Sequence, residues 1–404
     1  MKLESLNIKL HTQIIISIIM GITVGVLLQE KAIILKPLAE IFIRLLNMII
    51  IPIIFATLIV GITSLGNIKT LGRLGSKTFI YYIITSLIAV IIGLTIINLF
   101  NPGKNADLII DQSIIDTLPN TKMNLTTIIE QIIPKNFFKA IVEENMVSII
   151  FFTIFFGMAL NYLGKAGKPI LDFVNALNEV ILKITEWIMT LAPIGVFALI
   201  ATLIGEMGLG TLRPLAIYML SVIVALSIHL LIIIPIILYF FGKYSPKKFF
   251  VNFFPALATA FSTDSSIATL PVTIESLEKN IGVSNKVTSF VAPLGATINM
   301  DGTALYEAMA ALFIAQAYNI QLTLTEQLIV ALTAILASIG AAGIPSAGLI
   351  TLIIVLQAVN LPLEGIGILL AVDRVLDMCR TTVNVAGDAC GSIVIAKMEG
   401  ERFK

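Results

Sequence analysis

The sequence predicts an all-α, polytopic membrane protein, and three observations carry that expectation. First, 57% of its 404 residues are hydrophobic and the mean hydropathy is +1.00. Second, only 13% are charged, about half of the ~25% usual for a soluble domain. A water-soluble globule must cover its surface with polar groups, and this composition lacks them. Third, charge-free stretches recur along the chain at the roughly 20 residues needed to cross the hydrocarbon core.

Reading between charges places spans at Leu10–Gln29, Leu45–Ile68, Thr78–Gly103, Asn145–Gly164, Trp187–Gly205 and Pro214–Gly242. The fifth has a helix-like approach from Leu171 that carries a few charges. The start, with Lys2, Glu4 and Lys9, lacks the apolar core and small-residue cleavage site of a signal peptide and is expected to stay attached. Lys69, Arg73 and Lys77 fall in one loop, Lys165 and Lys168 in another, and Lys243, Lys247 and Lys248 in a third. With Lys397, Arg402 and Lys404 at the end, these alternate loops place both termini in the cytoplasm. The polar connection from Asn101 to about Asn145 is then external, and its Asn-Leu-Thr sequon at Asn124 is read as a chance match.

The C-terminal third breaks this simple pattern. Gln327–Leu363 is free of charge but too long for one span, and its middle reads SIGAAGIPSAG (Ser338–Gly348). A continuous helix tolerates that run poorly. Phe249–Leu277 has the same design, with the tip TDSSIATLP (Thr263–Pro271). Backbone exposed at membrane depth is tolerated only where it lines a cavity or is buried in protein. Two interrupted segments, each followed by a longer helix, point to an inverted-repeat transporter with its site at the tips. Other classes fit less well. A net charge of +1 gives no basic face for nucleic acid. Two cysteines, Cys379 and Cys390, exclude a disulfide framework and a cysteine-built metal site. They read as small residues at close helix contacts, and Trp187 as lipid-facing or interfacial packing. His11 and His229 are isolated, which argues against a histidine-rich metal site.

Ionisable residues inside a span are costly and functional by default. The last helix, Gly365–Ala396, carries Asp373, Arg374, Asp377, Arg380 and Asp388. At ~100° per residue, Asp373, Asp377, Arg380, Thr381, Asn384 and Asp388 share about a third of the helix circumference. Three aspartates against two arginines leave one negative charge for a cation to balance. Upstream, GATINMDGTA (Gly295–Ala304) puts Asn299, Asp301 and two glycines into an apolar segment. Unwound backbone there would offer the carbonyl oxygens that Na⁺ prefers. Tyr82, Thr85 and Ser86 add oxygens at i, i+3 and i+4, although Thr85 and Ser86 alone read as back-bonding to helix carbonyls.

The residue types suggest the substrate. An arginine fork suits a carboxylate, and Asp377, one turn away, suits an ammonium. Asn384 and the backbone N–H groups of the two tips suit a second carboxylate. One ammonium and two carboxylates make an acidic amino acid. The alternative is a permanent pairing of Arg380 with Asp373 or Asp377.

NMDGTALYEA, AAGIPSAG and DRVLDMCRTTVNVAGD occur in that order. With them the chain resembles, over essentially its whole length, the dicarboxylate/amino acid:cation symporter family, the glutamate-transporter fold. The resemblance implies eight transmembrane helices, two re-entrant hairpins and a homotrimer in which a transport domain moves as an elevator against a scaffold. Residues 1–75 would supply scaffold helices 1 and 2, and 76–103 transport-domain helix 3. Residues 104–207 would supply scaffold helices 4 and 5 with the external loop, and 208–404 the rest of the transport domain. By the same resemblance, Ser265, Ser266, Thr303, Gly343, Asp377, Arg380, Thr381 and Asn384 would hold substrate. Asp377 would take its amino group, Arg380 its side-chain carboxylate and Asn384 its main-chain carboxylate. Up to three Na⁺ sites are implied. One would use Gly295, Asn299, Asn384 and Asp388. A second would use backbone oxygens of Thr297, Ser338, Ile339 and Ala341. A third would use Tyr82, Thr85, Ser86, Asn299 and Asp301.

Glu307 resembles the proton-carrying glutamate of animal glutamate transporters. It implies proton co-transport, with K⁺ counter-transport as a further expectation. One position departs from the family: the extra arginine usual in the first tip, or after the last helix's aspartate, is replaced by Asp264 and Met378. A carboxylate there should recruit a cation or a positively charged group, and Asp264→Arg is expected to be tolerated or to raise aspartate affinity. The reading is therefore a Na⁺-coupled symporter of L-aspartate or L-glutamate in the cell (inner or plasma) membrane. Its alternatives are a neutral, serine/cysteine-type amino acid carrier or a C4-dicarboxylate symporter of the same fold. Asp377 would have no use in a dicarboxylate carrier. No base lies near the tip serines in sequence, which argues against an enzyme.

Overall fold

The computed structural model describes residues 10–64, 68–104, 133–143, 145–208, 212–339 and 347–403. Among these residues the regular structure is helical throughout. The first group comprises α1 (Leu10–Leu28), α2 (Lys36–Ser64), α3 (Ile68–Phe100), the short α4 (Phe137–Val142), α5 (Met146–Leu163), α6 (Lys168–Thr190) and α7 (Ala192–Met207). A 3₁₀ turn, Gln29–Leu35, joins α1 to α2. Asn136 and Asn145 cap α4 and α5 by accepting from Lys139 N and Ser148 N, satisfying donors that a helix start leaves open.

The second group begins with α8 (212–242), a helix interrupted by π-turns at His229–Ile233 and Leu238–Gly242. Then come α9 (Pro246–Thr263), α10 (Ser266–Glu275), α11 (Asn285–Ile298), α12 (Asp301–Ala317), α13 (Leu324–Ile339), α14 (Ala347–Ala358) and α15 (Ile366–Met398). Among the described residues, four helical stretches are long and apolar enough to cross a membrane: Ile16–Phe42, Leu74–Phe100, Ser148–Ala166 and Arg213–Gly242. Ala192–Gly205 and Leu324–Ile339 are shorter apolar helices. Large apolar side chains such as Leu27, Ile34, Phe155 and Trp187 face outward, as a lipid surface requires.

Three expected spans need correction. The third begins at Ile68, not Thr78, so Lys69, Arg73 and Lys77 lie in the first turns of α3 and not in a loop. Trp187–Gly205 is not one helix, because α6 stops at Thr190 and α7 starts at Ala192 with Pro193 in its first turn. Proline's missing N–H costs nothing there but would break a continuous helix. The second span begins at Lys36, not Leu45, since Glu40 and Arg44 sit on its exposed side.

Two helix interruptions, at the first tip and between α11 and α12, are where the sequence predicts them, and most of the second tip (340–346) lies outside the described residues. Asp264 ends α9 in the left-handed region (φ 54°), and Ser265 caps α10 by accepting from Ala268 N at 3.1 Å. Aspartate is among the few residues that enter this region readily. α9 and α10 pack against each other, as do α13 and α14. α11 and α12 are separated by Asn299 and Met300, both with non-helical backbone angles. α12 is buried along nearly its whole length. Its run of small residues (EAMAALFIAQA) lets α3, α13, α14 and α15 approach it closely. It carries Asp301 and Glu307 into the interior, beside the charged face of α15.

Candidate ion and substrate site

Two polar clusters lie inside this bundle, joined by the α11–α12 break. The first gathers residues from α3, α8, α11, α12 and α15. Ser86 Oγ donates to Asp301 Oδ1 at 2.6 Å, and Thr85 Oγ1 lies 3.2 Å from the same oxygen and 3.4 Å from Asn299 Oδ1. Asn299 Nδ2 donates to Asp388 Oδ1 at 2.9 Å. Tyr82 Oη donates to Val291 O at 2.9 Å. All of these side chains are buried. Among the described residues, no lysine or arginine pairs with Asp301 or Asp388. A buried carboxylate without a counter-charge is very costly, so this cluster is built for a cation.

Gly295 shows how tightly the cradle is drawn. A Cβ at that position would sit 2.5 Å from Asp388 Oδ1 and 2.7 Å from Tyr82 Oη. Only glycine lets the backbone come this close to both oxygens. The cradle brings together the oxygens of Tyr82, Thr85, Ser86, Asn299, Asp301 and Asp388, the donor type hard cations take.

The second cluster lies on α15. Arg380 is fully buried, with its Nη2 bonded to Asp377 and 3.3 Å from Asp373 Oδ1. Its guanidinium lies 3.9 Å over the Tyr306 ring, a cation–π contact. Among the described residues, Nε and Nη1 have no protein partner. They lie on the two different edges that share Nη2, so each has a donor left to give to a carboxylate oxygen. Gly348 keeps space beside the guanidinium, for a Cβ there would stand 2.9 Å from Nη1. Asn384 links the clusters. Its Oδ1 accepts from Gly302 N at 2.8 Å, and its Nδ2 lies 3.1 Å from Thr303 Oγ1 and 3.3 Å from Met300 Sδ.

The sequence profile of the sodium:dicarboxylate symporter family matches residues 10–398. The chain belongs to that family. It is 36% identical to the "Proton/sodium-glutamate symport protein" of Geobacillus stearothermophilus over 411 residues, covering 98% of this chain and 96% of the relative. It is 35% identical to the "Proton/glutamate-aspartate symporter" of Escherichia coli (strain K12), covering 98% and 94%. The "C4-dicarboxylate transport protein" of Bacillus subtilis (strain 168) is also 35% identical, covering 97% and 94%. As a member of the sodium:dicarboxylate symporter family, the protein is a multi-pass membrane transporter.

For this symporter, most of the expected site residues come together. Tyr82, Thr85, Ser86, Gly295, Asn299, Asp301 and Asp388 line one cradle. Ser265, Ser266, Thr303, Asp377, Arg380, Thr381 and Asn384 are buried at the tip between α9 and α10 or along α12 and α15. Thr297 and Ser338 spend their hydroxyls on their own helices, bonding Leu294 O and Ile335 O at 2.9 Å each. That leaves only the backbone oxygens the expectation assigned to them. Ile339 ends α13, while Ala341 and Gly343 lie outside the described residues. Glu307 accepts from Thr351 Oγ1, and its Oε2 has no protein partner among the described residues.

Two residues were missed by sequence reasoning. His229, fully buried in the first π-turn of α8, places Nε2 3.3 Å from Asp301 Oδ2, and its Nδ1 has no partner among the described residues. An ionisable side chain inside an otherwise charge-free span was the available signal. Arg374 reaches the tip, with Nη1 2.6 Å from Asp264 Oδ2. Asp264 therefore has its positively charged group. An arginine at 264 would meet Arg374 head-on and would have to hold φ 54°, so Asp264→Arg is expected to weaken the site rather than be tolerated.

Proposed function

We propose that this chain is a secondary active transporter that moves L-aspartate or L-glutamate across the cell membrane together with Na⁺. The observation that carries the substrate reading is the pair of open donors on Arg380. Two buried guanidinium nitrogens without protein partners among the described residues, next to Asp377, suit a carboxylate and an ammonium on one molecule. The curated relatives named for glutamate and aspartate symport support it. A C4-dicarboxylate substrate would leave Asp377 without an ammonium to meet.

In this reading the cation cradle is the coupling device. Na⁺ held by Tyr82, Thr85, Ser86, Asn299 and Asp301, or by Gly295, Asn299, Asn384 and Asp388, fixes the backbone between α11 and α12. Gly302 and Thr303 follow that break directly and bond Asn384 on the substrate face. Ion occupancy then pre-orders the substrate site, and by linkage substrate tightens the ion site equally. A further site on backbone oxygens of Thr297, Ser338, Ile339 and Ala341 completes the set of up to three. Glu307 carries a co-transported proton, supported by its burial and its unpartnered Oε2. K⁺ exchange is an accompanying possibility of the same site.

The α9–α10 and α13–α14 pairs serve as re-entrant hairpins within a fold of eight transmembrane helices. Residues 76–103 and 208–404 form the moving domain, and 1–75 and 104–207 the scaffold of a homotrimer, with both termini cytoplasmic. The direct test is uptake of labelled L-aspartate into proteoliposomes with and without an inward Na⁺ gradient. Accumulation that needs Na⁺ and is blocked by glutamate but not succinate supports the assignment. Uptake of serine or cysteine but not aspartate would overturn it. In the same assay Glu307→Gln should flatten the pH dependence of transport, and an unchanged pH profile would remove Glu307 from the proton pathway.

A further inference from the structure

The pocket holds two arginines in different electrostatic states. Arg380 keeps Nε and Nη1 open among the described residues, whereas Arg374 is matched by a carboxylate from the hairpin tip, Asp264 Oδ2 at 2.6 Å. Asp264 is buried, and its other oxygen accepts from Thr381 Oγ1 at 3.0 Å. It precedes Ser265 and Ser266 in sequence, so one side chain touches or adjoins three of the residues assigned to substrate. Three consequences follow from charge and hydrogen-bond direction. Arg374 contributes no net positive charge toward the substrate. A hydroxyl has one proton, so Thr381, having given its proton to Asp264, can offer the pocket only lone pairs. Those lone pairs, like the Asp377 carboxylate, favour a donor such as an ammonium.

We propose that Asp264 and Arg374 are a specificity-determining pair that makes this pocket demand an amino group along with carboxylates. The inference rests on the acidic amino acid reading above and sharpens it: the pair separates acidic amino acids from dicarboxylates of similar length. Both residues act through others, Asp264 through Thr381 and Arg374 through Asp264, and so are positioning residues. Charges facing them are Asp373, Asp377 and Arg380, all on α15. The five groups sum to one negative charge with the pair intact. Removing Asp264 alone leaves the sum neutral with a free guanidinium, and removing Arg374 alone leaves an excess of two carboxylates.

The test is uptake of labelled L-aspartate into proteoliposomes at saturating Na⁺, with succinate and glutamate as competitors. Asp264→Asn keeps an acceptor for Thr381 and a side chain that tolerates the left-handed backbone, while freeing Arg374. It should improve inhibition by succinate relative to glutamate by about tenfold, the size of one uncompensated charge acting over roughly 10 Å at an effective dielectric of about 20. Arg374→Gln should raise the aspartate KM by a similar factor. The double variant removes both charges and should return the succinate-to-glutamate ratio to within about threefold of wild type. Arg374→Lys keeps the charge and should hold the wild-type ratio, which separates electrostatics from a loss of packing.

Single-variant ratios within twofold of wild type, or a double variant whose ratio stays as far from wild type as that of Asp264→Asn, would overturn the pair. Equal damage from Arg374→Lys and Arg374→Gln would overturn it as well, by making the role steric. If the wild-type protein transports neither aspartate nor glutamate, the substrate reading falls and the inference with it. Wild-type aspartate uptake with unchanged variant ratios defeats the pair alone.

Discussion

The two buried clusters make opposite use of aspartate. Around Asp301 and Asp388 the partners are hydroxyls, an amide and a histidine, with no arginine or lysine among the described residues. Around Asp373 and Asp377 the partner is a fully buried guanidinium. The first cluster has no lysine or arginine to balance its carboxylates among the described residues, and in the proposed mechanism a cation from solution completes it. The second is largely balanced within the protein and leaves two guanidinium donors open among the described residues. The comparison teaches that, in the proposed mechanism, coupling needs no contact between ion and substrate. A short break between α11 and α12, with Asn384 bonded across it, gives each cluster a hold on the other.

The strongest way to break the comparison is to remove the fork. Arg380→Gln leaves Asp373 and Asp377 without their partner. Losing one member of a buried pair costs about 3–5 kcal/mol, so acidic amino acid binding should fall by roughly a hundredfold or more in equilibrium titration. Na⁺ binding without substrate should survive, since the cradle is untouched. Asp301→Asn does the reverse. Loss of a charged ligand worth about 2 kcal/mol predicts about a thirtyfold weaker Na⁺ response of uptake, with aspartate affinity recovering at high Na⁺. Gly295→Ala drives a methyl into Asp388 Oδ1, where the contact would be 2.5 Å. An overpacking cost of order 1–2 kcal/mol predicts about a tenfold lower Na⁺ affinity without loss of the folded protein by size-exclusion chromatography. The smallest effect is expected at His229, which orients Asp301 from the side away from Ser86. His229→Gln should shift half-saturation by Na⁺ about threefold to fivefold, and a shift in aspartate KM at saturating Na⁺ would instead tie His229 to the substrate cluster.

Much of this architecture was legible in the chain, for identifiable reasons. The breaks at Asp264–Ser265 and Asn299–Met300 announce themselves because polar and conformationally special residues interrupt apolar runs. The α15 face is legible because Asp373, Asp377, Arg380, Asn384 and Asp388 recur at helical intervals. The junction at Leu191 was hidden because apolar residues continue through it, and only Pro193 marks the restart. The start of α2 was hidden because an exposed helix side can carry Glu40 and Arg44. His229 and Arg374 could not be placed from spacing at all. Their partners, Asp301 and Asp264, lie far away in sequence and on other helices, so only packing brings each pair together.

The most direct test of the central claim is the dissociation constant of L-aspartate for the purified protein, measured across a series of Na⁺ concentrations at constant ionic strength. The account predicts an affinity that rises steeply with Na⁺ in the wild type. It also predicts that Asp301→Asn moves this dependence to higher Na⁺ without changing its plateau. Aspartate binding of equal strength with and without Na⁺ would contradict it, because the two clusters would then share a bundle but no free energy.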